Sequence, residues 1–317
     1  MTTTQKPIHS GYGAQTTARE VIGNTRLDGA TAVVTGGYAG VGLETTRALS
    51  GAGATVIVPA RTPDKARAAL SGMARVELES LDLSDPASID AFAARFSASR
   101  RPLHILVNNA GIMATPLARD ARGFESQLAT NHLGHFQLTA RLWPALRSAH
   151  GARVVSLSSR GHRRAAVDFD DPHFERRPYD KWIAYGQSKT ANALFALALD
   201  ARGEAHRVRA FSVHPGAVIT ELMRYMPDEE VRAAVAASGP ESSLKNAEQG
   251  AATSVWCATS AQLEGMGGVY CEDVDVAEAV AADFPEPRGV RPWAMDPDLA
   301  EQLWTKSEEW TGTTFTG

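Results

Sequence analysis

Thr31-Ala32-Val33-Val34-Thr35-Gly36-Gly37-Tyr38-Ala39-Gly40-Val41-Gly42 is a β-branched apolar run that breaks into glycines and continues as helix-forming sequence. A short strand, a sharp turn and a helix N-terminus are the expected products. Glycines at 36, 40 and 42 let the backbone turn tightly and approach a pyrophosphate without an intervening Cβ, and the helix start offers free N–H groups with partial positive charge. Gly36, Tyr38, Ala39, Gly40, Val41 and Gly42 are therefore candidate dinucleotide contacts. A glycine-rich turn alone has a bland reading, as an ordinary loop. Its place in the first strand-to-helix connection argues for the functional one.

The next strand ends in Val58-Pro59-Ala60-Arg61-Thr62. An acid here would hold the ribose 2′-hydroxyl of NAD, whereas a cation accommodates the 2′-phosphate of NADP. The acid is missing and Arg61 stands at that point, so NADP(H) is expected over NAD, the alternative being a solvated surface charge.

Downstream, apolar runs at 31–35, 55–60, 76–81, 103–108, 153–158, 208–214 and 268–271 alternate with helical periodicity at 40–50, 123–146, 185–201 and 247–259. Ser84-Asp85-Pro86 marks another helix start, followed by Ile89, Phe92 and Phe96 at helical spacing. The alternation predicts a Rossmann-type α/β fold, a doubly wound parallel sheet with helices on both faces. We expect a single dinucleotide-binding catalytic domain over 1–317, with a core at about 27–272, an N-terminal extension 1–26 and a C-terminal extension 273–317. Segments 161–182 and 220–245 break the pattern after strand ends, where open α/β sheets bind ligands, and are candidate substrate walls. The tail carries Trp293, Trp304 and Trp310 as candidate anchors and a helix expected over 297–308.

Composition narrows the classes. The 317 residues carry 32 basic and 36 acidic side chains, a net charge of −4, which gives no electrostatic reason to expect nucleic acid or an anionic membrane. Hydrophobic residues make up 44%, enough for a sizeable core. The two cysteines, Cys257 and Cys271, form neither a metal knuckle nor a disulfide scaffold, which points to a reducing, cytoplasmic setting. The polar N-terminus lacks a signal-peptide pattern, and the most apolar stretch, 191–199, is too short to span a bilayer. His132 and His135 sit three residues apart without an evident third ligand, so no metal is expected.

Further motifs follow in order: Leu81-Asp82-Leu83; Asn108-Asn109-Ala110-Gly111; Asn131 in NHLGHF; Ser158-Ser159; Tyr185-Gly186-Gln187-Ser188-Lys189; and His214-Pro215-Gly216 ahead of Thr220. A tyrosine four residues before a lysine is weak by itself. The ordered set resembles the short-chain dehydrogenase/reductase family over about 27–272, and NHLGHF with YGQSKTANALF is most similar to its retinol-dehydrogenase-like branch. The resemblance implies that Asp82 and Leu83 lie by the adenine, that Asn109, Ala110 and Gly111 flank the cofactor, and that Pro215, Gly216 and Val218 meet the nicotinamide carboxamide with Thr220 near the phosphates. It implies Asn131, Ser159, Tyr185 and Lys189 as the catalytic set. Asn131 would hold a water linking Lys189 to solvent, a role compatible with capping a local backbone irregularity.

Hydride transfer to a carbonyl leaves an alkoxide that needs a proton, and Tyr185 is the candidate acid/base. Lys189, one helical turn on, is expected to lower the phenol's pKa and, by resemblance, to reach the nicotinamide ribose. Ser159 would hydrogen-bond the substrate oxygen, with Ser158 as rival. Leu222, Met223, Tyr225 and Met226 could form an adaptable lid or simply pack a short helix. Phe174 and Trp182 are candidate pocket aromatics, and the charges at 175–177 read as solvated. The expected partner is a small-molecule carbonyl or alcohol, lipophilic if the branch resemblance holds, and a homo-oligomer is compatible with the family. Two other readings stay open: a dinucleotide-binding regulator without chemistry, and a nucleotide-sugar epimerase or dehydratase.

Overall fold

The computed structural model describes residues 3–237 and 244–316. Among the described residues ten strands are formed: β1 Thr31–Val34, β2 Thr55–Ala60, β3 Val76–Ser80, β4 Ile105–Asn108, β5 Ala152–Leu157, β6 Val208–His214, β7 Ala217–Val218, β8 Leu244–Lys245, β9 Val269–Glu272 and β10 Asp275–Val276. The helices are α1 Ala18–Ile22, α2 Gly40–Gly51, α3 Pro63–Ala69, α4 Pro86–Ala98, α5 Ser126–Leu128, α6 Gly134–Ser148, α7 Lys181–Gly203, α8 Asp228–Ala237, α9 Ala247–Thr259 and α10 Pro297–Thr311. Eight strands make one sheet in the order β10-β9-β6-β5-β4-β1-β2-β3. All its pairings are parallel except the β9–β10 edge. The order reverses between β1 and β4, which opens a crevice at their carboxyl ends.

Successive side chains along each strand point to opposite faces, and both faces are covered. Val33, Ile57 and Leu106 enter one core with Phe92, Phe136, Leu194 and Trp304, beneath α4, α6, α7 and α10. Val34, Val56 and Val107 enter the other with Leu49 and Trp256, beneath α2 and α9. This two-sided burial is why the strands read as nearly unbroken apolar runs.

The departures from expectation have local causes. α7 starts at Lys181, four residues earlier than Tyr185, because the Asp180 carboxylate accepts from Trp182 N (2.7 Å) and Ile183 N (2.9 Å). The helix expected over 123–146 is interrupted by a π-helical turn, Ala129–Leu133, that contains Asn131. Segment 220–245 holds α8 and β8, the latter pairing with β7, so it is not wholly irregular; its residues 238–243 lie outside the described residues. The tail helix runs three residues further than expected and packs on α7, with Arg202 paired to Glu301.

Candidate active site

At the crevice, β1 feeds the glycine turn. Gly36 and Gly40 have φ of +64° and +50°, a region costly for side-chain-bearing residues. Ala39 stands at the N-cap of α2 without a side-chain cap, so the first turn of that helix presents its N–H groups outward. The Thr220 methyl would lie 3.1 Å from a Cβ on Gly40, which places Thr220 over this turn. Val218 and Val41 close on Gly250 from the same side. Behind the turn, Thr35 Oγ1 accepts from Asn109 N (2.9 Å) and Ala110 N (3.0 Å), and Asn109 Nδ2 donates to Thr35 O (2.7 Å). An uncapped helix start above two left-handed glycines fits a pyrophosphate.

The remaining expected contacts are placed as follows. Arg61 directly follows β2, is exposed, and makes no ion pair among the described residues. Asp82 accepts from Ser84 N (2.9 Å) and Ser84 Oγ (2.6 Å), which shapes the turn that leaves Leu83 against Gly134. Gly216, with φ +94°, is covered by the stem of Lys245, whose ammonium pairs with Asp273 Oδ1 at 2.6 Å.

Ser159, Tyr185 and Lys189 converge beside this turn, at the carboxyl ends of β4 and β5. Ser159 ends the extended segment after β5, and its hydroxyl accepts from Gly161 N (3.0 Å); a Cβ on Gly161 would meet both the Tyr185 ring (2.8 Å) and Ser159 Oγ (3.5 Å), so the two side chains flank the same point. Ser158 faces the other way and donates to Lys189 O at 2.7 Å, which removes it as rival for the same position. Lys189 Nζ donates to Leu157 O at 2.9 Å and lies 5.6 Å from the Tyr185 ring centroid. A Cβ on Gly111 would come within 3.0 Å of Asn131 Oδ1 and 3.6 Å of Lys189 Nζ, so these three groups crowd one point. Asn131 is held on all sides: its side chain bonds Ile112 N (2.8 Å), Ile112 O (3.0 Å) and Ser188 Oγ (2.9 Å), and its carbonyl takes His135 Nδ1 at 3.0 Å. His135 then reaches Thr35 Oγ1 at 2.9 Å, joining the tetrad to the glycine turn.

The electrostatics correct one expectation. Burial pushes the Tyr185 phenol up to about 12, with the neighbouring Ser159 opposing it, so the phenol stands above its ordinary value and not below it as expected from Lys189. The physical reason is that the ammonium is turned to Leu157 O rather than to the phenol oxygen. Lys189 itself is brought down to about 8 by burial.

Above Tyr185 lies an apolar cluster of Met113, Ala114 and Met226, flanked by Trp182, Leu222, Met223 and Val231. Met226 therefore shares the cluster of the tyrosine, with Leu222 and Met223 packed against it, whereas Tyr225 is 43% exposed. Phe174 is also corrected: it packs edge-on against Tyr179 and under Arg177, away from this cluster. The charges at 175–177 are only partly solvated, since Arg177 pairs with Asp168 at 3.2 Å. Met113, Ala114 and Val231 were not anticipated, although Ile112-Met113 directly after the Asn-Asn-Ala-Gly motif was a readable apolar signal. Lys181 and Trp182 Nε1 both bind the Glu230 carboxylate, at 2.5 and 2.8 Å, tying α8 to the start of α7. His132 Nε2 meets Ser307 Oγ at 2.7 Å, and His135 makes the two bonds already described.

A family model for short chain dehydrogenases matches residues 30–231. The chain belongs to that family. A probable oxidoreductase of Streptomyces antibioticus is 48% identical over 290 residues, covering 88% of this chain and 96% of that protein. Human retinol dehydrogenase 12 is 38% identical, covering 91% of this chain and 88% of its own length, in keeping with a retinol-dehydrogenase-like member. Among solved structures, an uncharacterised protein of Mycobacterium paratuberculosis superposes with TM-score 0.74 at 34% identity, covering 94% of this chain and 98% of that one. Pseudomonas aeruginosa RhlG, in an active-site complex with NADP, has TM-score 0.64 at 24% identity over 78% of this chain and 96% of its own, a likeness of fold. As a short-chain oxidoreductase the protein binds a nicotinamide dinucleotide and acts on a small molecule. Among the described residues no helix is long and apolar enough to cross a membrane.

Proposed function

We propose that the chain is an NADP(H)-dependent oxidoreductase that interconverts a lipophilic ketone or aldehyde and its alcohol, with Tyr185 as general acid/base. The observation that carries the reading is that Tyr185 and Ser159 flank one point at Gly161 while Tyr185 packs in an apolar cluster with Met113 and Met226 beside Trp182, so a carbonyl bound at Ser159 sits in apolar surroundings. When bound, the nicotinamide supplies or accepts the hydride. Ser159 holds the substrate oxygen, Tyr185 gives it a proton, and Lys189, through a water held at Asn131, would replenish that proton from solvent. Gly36, Tyr38, Ala39, Gly40, Val41 and Gly42 would cradle the pyrophosphate. Asp82, Leu83, Asn109, Ala110 and Gly111 would line the adenosine and ribose side, and Pro215, Gly216, Val218 and Thr220 the nicotinamide side. An exposed, unpaired Arg61 after β2 is suited to a 2′-phosphate and supports NADP over NAD.

The reading takes 1–317 as one catalytic domain. Gln5 bonds Tyr270 O and Ala277 O, and the tail packs on α7, so both extensions close on the same sheet.

The test is consumption of NADPH with a panel of ketones and aldehydes of increasing apolar size, followed by the absorbance of the reduced nicotinamide. Tyr185→Phe is expected to lose turnover and keep NADPH binding. An active Tyr185→Phe overturns the acid/base role, and a wild-type protein that binds NADPH but turns over nothing supports the regulator reading.

A further inference from the structure

His162 lies in the turn between Ser159 and α7, buried to 1% exposure, in no motif the sequence singled out. Its Nδ1 is 2.7 Å from Ser159 O, and its Nε2 is 3.2 Å from the backbone N of Arg291, 129 residues further along the chain. A carbonyl can only accept and an amide N–H can only donate, so the two partners fix one tautomer: Nδ1 carries the proton and Nε2 accepts. Trp293 Nε1 donates to His162 O at 2.9 Å, and the Tyr270 ring packs on the imidazole with centroids 4.9 Å apart. The Tyr270 hydroxyl also lies 3.2 Å from His162 Nδ1, where it can share the proton that Nδ1 gives to Ser159 O, so the sheet edge and the tail meet at the imidazole. Within the same turn Gly161 abuts the Tyr185 ring and donates to Ser159 Oγ. Burial holds the imidazole's pKa down to about 4, so it stays in this neutral tautomer through the neutral range.

We propose that His162 is a positioning residue: through it, docking of the C-terminal segment 284–294 sets the turn that presents Ser159 and seats the Tyr185 ring. This rests on the reading of Ser159 and Tyr185 as the groups that bind and protonate the substrate. The tail is then a component of the site, although none of it touches substrate. The link is directional. An aromatic residue of similar size would fill the space and make neither hydrogen bond, and asparagine would keep a donor near the Nδ1 position.

The tests use the full-length protein. His162→Phe is expected to lower kcat about 10–100-fold, as small misplacements of reacting groups do, with KM for NADPH and its Kd within about twofold. His162→Asn is expected to recover much of that loss. Arg291→Pro removes the N–H that His162 accepts, at a residue whose φ of −80° suits proline, while Arg291→Ala keeps it. Both variants lose the buried guanidinium that bonds Phe284 O, so the backbone N–H is what separates them, and hydrogen exchange of residues 159–165 is expected to rise further in Arg291→Pro than in Arg291→Ala. Three outcomes would overturn the proposal: unchanged kcat in a folded His162→Phe, a loss that falls equally on NADPH affinity, or no exchange difference between the two Arg291 variants. The exchange comparison needs no turnover, so it decides the coupling even where His162→Phe fails to fold. An inactive wild type would instead count against the functional reading alone.

Discussion

Gly161→Ala tests the seat of the tyrosine most directly. The backbone at Gly161 lies outside the left-handed region, so alanine is allowed there, and its lower unfolded-state entropy would by itself add about 0.4–1 kcal/mol of stability. Its Cβ, however, would stand 2.8 Å from Tyr185 Cε1 and 2.9 Å from Cδ1. Carbon pairs prefer about 3.5–4.0 Å, so the ring must withdraw by roughly 0.7–1 Å. Tyr185 has little room to do so, being 4% exposed and roofed by Met113 and Met226. Overpacking of this kind costs about 1–3 kcal/mol, more than the entropic gain. The Gly161 N–H to Ser159 survives in alanine, so the phenol moves relative to a serine that stays put. A displacement near 1 Å costs about 100-fold in rate, close to 3 kcal/mol in the barrier. The assay is kcat at saturating NADPH with the best carbonyl of the panel, beside NADPH Kd and Tm. The expected result is a large fall in kcat, unchanged cofactor affinity and a small loss of Tm. A folded Gly161→Ala with kcat within about threefold of wild type refutes the seating argument.

The two adjacent serines should separate cleanly. Ser159→Ala is expected to lose about 100–1,000-fold in kcat, the scale for removing one donor to a developing oxyanion. Ser158→Ala, which loses the bond to Lys189 O, should lower Tm with a much smaller rate effect; equal rate losses would contradict the assignment. Arg61→Ala is expected to raise KM for NADPH about 10–100-fold, the worth of a hydrogen bond to a charged group. KM for NADH should hardly move, and parallel losses for both cofactors would show that Arg61 does not read the 2′-phosphate. Lys189 gives a pH signature in stability. Its native pKa of about 8 lies below the ordinary 10.5, so between those values the unfolded chain binds more protons and stability rises with pH. The burial penalty is fully felt below about pH 8 and relieved above about pH 10.5, at most about 3 kcal/mol in all. Lys189→Met should abolish that rise between pH 8 and 10, measured by denaturant unfolding, and an unchanged slope would mean that the ammonium is not buried.

Local signals carried most of the architecture. β2, β6 and α9 begin and end where apolar runs and helical periodicity place them, because two-sided burial leaves few other residue types possible. Signals were also present and unread: Thr17 and Glu20 form a capping box for α1, and Asp180 marks the true start of α7. The tetrad's convergence was legible through resemblance, but its energetics were not. Spacing puts Lys189 on the face of Tyr185, yet only the fold reveals that Leu157 O captures the ammonium first. The apolar roof comes from three separate segments, and the His162–Arg291 contact joins residues 129 apart, so neither leaves a trace in local pattern.

Burial moves the two central groups in opposite directions on the pH scale and for one reason. It penalises charge, so it raises the phenol of Tyr185 and lowers the ammonium of Lys189, and both are driven toward their neutral forms. A phenol held up to about 12 keeps its proton throughout the neutral range, which equips the chain's own residues to donate to a carbonyl oxygen and leaves few phenolates to take a proton from an alcohol. Ser159 pulls the phenol the other way, but by less than burial raises it. A lysine near 8, by contrast, can gain and lose a proton close to neutrality, which suits it to reloading the tyrosine after each reduction. On the proposed chemistry, exclusion of water by the apolar cluster beside Tyr185 therefore favours the protonated phenol, the form that donates to a carbonyl oxygen.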